Sequence, residues 1–163
     1  MFLRMKEETQ QIEQVRTELK QLVEKELKDD EALQTIKWIN TLARHTYKWK
    51  KLVDKFPDSL RREGVYVGNE ILDVKDDITT WSEEKIHLVI QFYQKKRTSS
   101  ISILQMIFDS CNVYFPEDKK QPVKDLANKL INLIYSYQIE LADLLVAQQR
   151  ANLDAQPKMS KGL

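Results

Sequence analysis

The chain has 163 residues, of which 31% are charged and 42% hydrophobic, and its formal net charge is +1. This composition excludes wholesale disorder, and the length favours one domain over two. Three glycines and four prolines are too few for the tight turns of a sheet protein. The composition therefore predicts an all-α fold, a single-domain bundle of about five to six helices over residues 1–153, followed by a flexible C-terminal tail, 154–163.

The single cysteine and the lack of an obvious targeting segment bear on the compartment. Cys111 has no partner for an internal disulfide, and its apolar neighbours predict a buried structural thiol. Met1 to Met5 is too short for a signal-peptide core, and no uninterrupted apolar run approaches the roughly 18 residues that span a bilayer. We therefore expect a cytoplasmic protein that makes no membrane contact.

The first half of the chain predicts two helices and a short connector. Apolar residues at steps of three, four and seven indicate an amphipathic helix over about 5–28. A second helix is expected over about 31–56, because Asp29 or Asp30 can cap its start and the residue before Pro57 avoids helical geometry. In the connector, two glycines flank Val65–Val67, which indicates a turn or a short extended segment.

The next predicted elements are three shorter helices. Ile71, Val74, Ile78 and Trp81 return at steps of three and four, which indicates a third helix from Asn69. The capping-box form of residues 80–83 predicts a fourth helix over about 83–96. Polar residues 98–100 then separate it from a fifth helix over about 101–114.

The last predicted helix is long. Pro122 suits a first helical position, where its missing N–H costs nothing, and leucines and tyrosines then recur at steps of three and four to about residue 152. Such a pattern predicts lengthwise pairing with another long helix.

Charge is strongly segregated along the chain. Residues 37–62 contain eight Lys or Arg and two acids, a local net charge of +6. The segments 7–31 and 63–84 carry local charges of −5 and −6. The cations of the second helix recur at steps of three, four and seven, so they share one face of that helix.

Such a basic face can grip a phosphate backbone without reading base sequence. Our leading hypothesis is therefore a non-catalytic subunit of a larger complex that binds nucleic acid, with other protein subunits or copies of itself as further partners. The predicted nucleic-acid-binding residues are Lys37, Arg44, Lys48, Lys51, Lys55, Arg61, Arg62, Lys95, Lys96 and Arg97.

Two other interpretations stay open. The basic face can be neutralised by the two flanking acidic segments, in which case it is only a solvated surface. Alternatively, the chain is an interaction adaptor or inhibitor that docks Trp38 and Trp49 into another protein, because aromatic anchors dominate interfaces. Apolar residues on more than one side of the second helix would fit a central helix or one that faces a partner.

Residues that carry catalysis or bind metal are sparse. Beyond its carboxylates the chain offers His45, His87 and Cys111. The Glu84-x-x-His87 spacing occurs once, whereas di-iron bundles need it twice with two further glutamates. No Lys-Ser/Thr pair follows Gly64 or Gly68 as a nucleotide-binding loop requires. We therefore predict no enzyme activity, no cofactor and no metal site.

Over about residues 5–152, the chain resembles the small subunits of CRISPR effector complexes in its helical architecture and charge layout. The resemblance implies a non-catalytic role in antiviral defence, in which the protein contacts target or displaced strands through their backbone. It also implies neighbours that are copies of the chain and larger subunits. It assigns no role to an individual residue.

Overall fold

The computed structural model describes residues 2–156, with side chains from residue 7 onward. Within this range there are four α-helices and one two-stranded antiparallel sheet. The helices are α1 (Phe2–Glu26), α2 (Asp29–Asp54), α3 (Glu83–Tyr114) and α4 (Glu117–Ala155). The strands are β1 (Val65–Val67) and β2 (Glu70–Leu72), and short 3-10 turns span Asp58–Arg62 and Ile78–Thr80. The all-α prediction is confirmed at this level, with four helices in place of five to six.

The four helices run alternately up and down. Side chains that bridge α2 and α3 establish that these neighbours are antiparallel, since Thr35 meets Ser110 (2.6 Å) while His45 meets Ser100 (3.0 Å). The remaining sides are closed by contacts between α1 and α2, α3 and α4, and α1 and α4. The helices α2 and α4 also touch each other across the middle of the bundle.

The core explains why α2 is apolar on more than one side. Its buried residues face α1, α3 and α4, all of which contact it. A central helix needs a wide apolar surface to cover three neighbours. Internal packing therefore accounts for this feature of α2, and no partner is needed to explain it.

The predicted third helix is wrong. Residues 65–72 form a hairpin in which Tyr66 pairs with Ile71, and the turn places Gly68 at φ +62, a conformation that glycine adopts without steric cost. Beyond the hairpin, Asp77 accepts a hydrogen bond from the Thr79 N–H (3.0 Å) and starts a 3-10 turn. The β-prone Val65–Val67 segment is confirmed as β1.

The predicted fourth and fifth helices are one continuous helix, α3. Ser82, rather than Thr80, caps it by accepting a hydrogen bond from the Lys85 N–H (3.1 Å). In the segment 98–100, the Ser99 hydroxyl donates to the Lys96 carbonyl (3.1 Å), and Ser100 is buried against His45. No glycine or proline interrupts the run, so these polar residues continue the helix.

The last helix starts earlier than predicted. Pro122 lies in the second turn of the helix rather than at its first position. In the second turn its missing N–H removes a single hydrogen bond near the helix start. The helix reaches Ala155, so the first two residues of the predicted tail are helical. Most of the rest of the predicted flexible tail, residues 157–163, lies outside the described residues.

The helix α4 is also unusually long and apolar. Within residues 2–156 it is the one helix long and apolar enough to cross a membrane by length and composition, although one third of its most apolar 18-residue window is buried in the bundle. A helix in the core of a water-soluble bundle can have the same length and composition. It packs against α1, α2 and α3, which is the lengthwise pairing that the sequence predicts.

Candidate functional site

The solvent face of α2 carries the basic stripe that the sequence predicts. Ile39, Leu42 and Thr46 point into the core, and the cations recur on the opposite side of the helix. All five are exposed: Lys37, Arg44, Lys48, Lys51 and Lys55. The eight Lys or Arg of the basic segment include Lys50. This residue is buried and pairs with Asp54, so it does not join the stripe.

The C-terminal half of the stripe forms one wall of a cleft of about 460 Å³. The other wall is the turn Asp58–Arg62, which folds back over the end of α2. Buried Leu60 anchors the turn, and the Ser59 hydroxyl donates to the Leu52 carbonyl at 2.7 Å. We call this feature the basic cleft, and its lining residues are Lys48, Lys51, Leu52, Lys55, Phe56, Asp58, Ser59, Arg62 and Glu63.

Cations outnumber acids in the basic cleft by four to two. Among the described residues, Lys51, Lys55 and Arg62 have no carboxylate within ion-pair distance. Asp58 is 81% exposed and contacts Arg61 at 3.9 Å, which is a weak surface pair. The cleft therefore presents unpaired positive charge to solvent, and an anion is the ligand it suits.

Glu63 is the acid that restrains this charge. Its carboxylate lies 3.8 Å from the Lys48 Nζ and 3.1 Å from the Lys96 Nζ, and only 17% of its side chain is exposed. The Lys96 Nζ also lies 4.9 Å from the centre of the Phe92 ring, a cation–π contact. Through Glu63, the structure brings Lys96 of α3 to the edge of the basic cleft.

A smaller cavity of about 140 Å³ lies next to the basic cleft and shares Lys48 with it. His45 lines this cavity, with its Nδ1 at 3.0 Å from the Ser100 hydroxyl. Burial, followed by the charges of Arg44 and Lys48, lowers the pKa of His45 below its ordinary value. This environment favours the neutral form of the imidazole over the charged form.

Apart from Glu63, the acids of the two flanking segments make no ion pair with the stripe within the described part of the chain. In α1, Glu13 accepts hydrogen bonds from Arg16 (2.8 Å) and the Tyr47 hydroxyl (2.6 Å). Near the second 3-10 turn, Asp76 binds Lys85 at 2.8 Å. Of the acids in 7–31 and 63–84, Glu63 is the one within 4 Å of a predicted binding cation, as far as the described residues extend.

Other predicted binding residues are scattered. Arg61 lines a neighbouring cavity of about 430 Å³ together with Arg62. Lys95 is exposed without lining the basic cleft. The Arg97 guanidinium lies 5.4 Å from the centre of the Tyr135 ring on α4, so it belongs to a different face of the bundle. The predicted cluster 95–97 thus divides, because consecutive residues of a helix point in different directions.

Of the two predicted partner-binding tryptophans, Trp49 is a core residue and Trp38 is partly buried. Trp49 is 4% exposed and meets the Tyr93 ring edge-on, with 6.0 Å between ring centres. Trp38 is half-buried and packs against the same core. The prediction that these rings form a docking surface is corrected for Trp49, because burial removes it from contact with any partner.

Sequence reasoning missed Glu63 and Asp58 as members of the site. The available signal was that both follow the Phe56-Pro57 step, where the chain has to turn back over the helix end. The described residues include no group of three or more His, Cys, Asp or Glu side chains that could hold a metal ion. Comparison with protein-family models, curated proteins and solved structures finds no match to this chain.

Proposed function

We propose that this protein is a non-catalytic helical subunit that binds the phosphate backbone of nucleic acid, without reading base sequence, through the basic cleft. The observation that carries the proposal is that three of the four cations lining the cleft, Lys51, Lys55 and Arg62, have no acidic partner within the described part of the chain. Unpaired surface cations in a concave site exchange their counterions for phosphates, which is the main source of backbone affinity.

The layout of charge also supports an extended anion over a single small one. Beyond the cleft the basic stripe continues along α2 through exposed Arg44 and Lys37, so the cations from Lys37 to Lys55 follow a line about five helical turns long. A phosphate chain matches such a line, and side chains that read base edges are not required. The resemblance to CRISPR small subunits and a place within a larger assembly stay predictions alongside this proposal.

The test is the salt dependence of binding to a fluorescently labelled oligonucleotide, measured by anisotropy. If four phosphates contact the cleft, log affinity should fall by about 3.6 per log unit of salt on duplex, or about 150-fold between 50 and 200 mM. The double variant Lys51→Glu/Lys55→Glu should lose at least half of this slope and most of the affinity at low salt.

A matched control carries the same charge change away from the cleft. Lys20 of α1 and Lys129 of α4 are exposed and form no ion pair among the described residues, so Lys20→Glu/Lys129→Glu lowers the net charge equally. Equal loss in the two double variants would mean that overall charge, rather than the cleft, drives binding. No binding by the unaltered protein at low salt would also overturn the proposal.

A further inference from the structure

The outer face of α4 carries an apolar seam toward the C-terminal end of the helix. Ile139 is 63% exposed, Val146 38% and Leu153 43%, and these three residues are spaced seven apart. Ala142 and Gln149 fall midway between them. We call Ile139, Ala142, Val146, Gln149 and Leu153 the α4 seam; it has the spacing of a coiled-coil contact line, with β-branched residues at two of the three heptad positions.

The bundle covers this line at one end and leaves it open at the other. One helical turn before Ile139, the ring of Tyr135 lies beneath the Arg97 guanidinium of α3. Next to Ile139 and Ala142, Gln94 and Arg97 of α3 line a shallow groove. The exposed fractions of Ile139, Val146 and Leu153 show that the bundle leaves the apolar side chains of the seam in contact with solvent.

The charges beside the α4 seam are self-complementary. Asp143 and Arg150 follow its outer edge, are exposed, and take no part in an ion pair among the described residues. They are also seven residues apart, so they occupy the same edge of the helix. A two-fold axis perpendicular to α4 brings Asp143 of one chain opposite Arg150 of the other, twice. A parallel pairing would instead set each charge near its own copy.

We propose that the α4 seam is the interface of a homodimer in which two α4 helices pack antiparallel about a two-fold axis. The occupant is a second copy because the seam is apolar along its centre while its charged edge pairs with itself in opposite orientation. The seam from residue 139 to 153 is about 21 Å long. Contact along one helix pair of this length lies at the small end of protein–protein interfaces, which is typical of weak, transient complexes, so we expect a Kd on the order of 10–100 µM.

Sedimentation velocity over 1–300 µM tests the interface. We expect the unaltered chain to shift from monomer to dimer across this range, and Ile139→Asp/Val146→Asp to stay monomeric, with association weakened at least 100-fold. The control Val113→Asp changes an apolar side chain of α3 that is 71% exposed and lies off the seam, and it should dimerise normally. A monomer at every concentration, or equal dimerisation of the seam variant and wild type, would overturn the proposal.

Charge reversal tests the orientation. In an antiparallel dimer, the variant Asp143→Lys sets its new lysine opposite Arg150 of the other chain, twice. The variant Arg150→Asp sets its new aspartate opposite Asp143 of the other chain, twice. Each variant alone should therefore associate more weakly than the unaltered chain. A mixture of the two variants restores both opposite-charge pairs, and it should form a heterodimer more readily than either variant self-associates. Single variants that self-associate as well as the unaltered chain would refute the antiparallel arrangement, because a parallel pair already sets like charges together and the mixture restores opposite-charge pairs in either orientation. Nucleic-acid binding by the basic cleft is measured separately and is unaffected by either result.

Discussion

Replacing Glu63 by glutamine should strengthen anion binding in the basic cleft. The change removes one negative charge while keeping the side-chain volume, and it releases Lys48 and Lys96, whose Nζ atoms lie 3.8 and 3.1 Å from the carboxylate. A phosphate bound to either ammonium group would lie about 6 Å from that carboxylate, a repulsion of about 0.7 kcal/mol at the dielectric of water. Affinity should therefore rise about 3-fold, or about 10-fold if the local dielectric is half that value.

The assay is anisotropy of a labelled oligonucleotide at several salt concentrations. Beyond the gain in affinity, one newly available cation should steepen the salt slope by about 0.9 on duplex. Glu24→Gln is the matched control, because Glu24 is exposed on α1 and forms no ion pair within the described chain. Thermal unfolding should show that both variants are folded. If Glu63→Gln and Glu24→Gln bind equally well, the cleft is not where the anion sits.

Three further predictions concern the scaffold that holds the cleft. Trp49→Ala should lower the free energy of unfolding by about 3–5 kcal/mol, measured by urea denaturation, since the ring is buried against Tyr93. Asn152→Ala should cost about 1–3 kcal/mol and raise amide exchange in 78–81, because the Asn152 amide donates to the carbonyls of Ile78 (3.0 Å) and Trp81 (3.1 Å). The pKa of His45 is lowered by burial, so its contribution to stability is present above the unfolded value of about 6.5 and is lost as pH falls below it. The loss of stability between pH 7.5 and 5.5 should accordingly be smaller in His45→Gln, and an equal loss would contradict this assignment.

The stripe on α2 could be predicted because helical periodicity decides which residues share a face. Once Ile39 and Leu42 mark the buried side, steps of three, four and seven place Arg44 and Lys48 on the opposite side in any packing of the helix. The partners of those cations could not be predicted. Glu63 reaches Lys48 and Lys96 only because the chain reverses after α2, and that path depends on how the turn packs.

The hairpin was misassigned because four apolar residues over eleven positions fit a helical period by chance. Ile71 is 73% exposed, whereas Val74, Ile78 and Trp81 are buried on an irregular segment. Short strands of three residues are too brief for alternation to show. The informative local signal in the sequence was Gly68 itself, because glycine readily adopts the positive φ that this turn requires.

The division of α3 and the placement of Trp49 failed for a shared reason. Polar residues such as Ser100 are turn-formers on average, but in this fold Ser100 is buried where α2 approaches, and it hydrogen-bonds His45. Trp49 lies beside the basic stripe in sequence, yet its position on the helix turns it toward Tyr93. In both cases tertiary contact decides the outcome, and composition does not reveal it.

The topology of the bundle explains why the basic charge of α2 persists beside acidic neighbours. The helix contacts α1, α3 and α4 through its buried sides, so the stripe points away from all three. The α1 acid Glu13, for example, is bound by Arg16 and Tyr47 instead. Within residues 2–156, the turn after α2 is the segment that folds over the end of this solvent face. It brings Asp58 and Glu63 together with Arg62, so two acids meet four cations in the cleft and positive charge remains. An anion that binds this surface meets one carboxylate held between two lysines, and the strength of binding should depend on that carboxylate more than on the acids elsewhere in the chain.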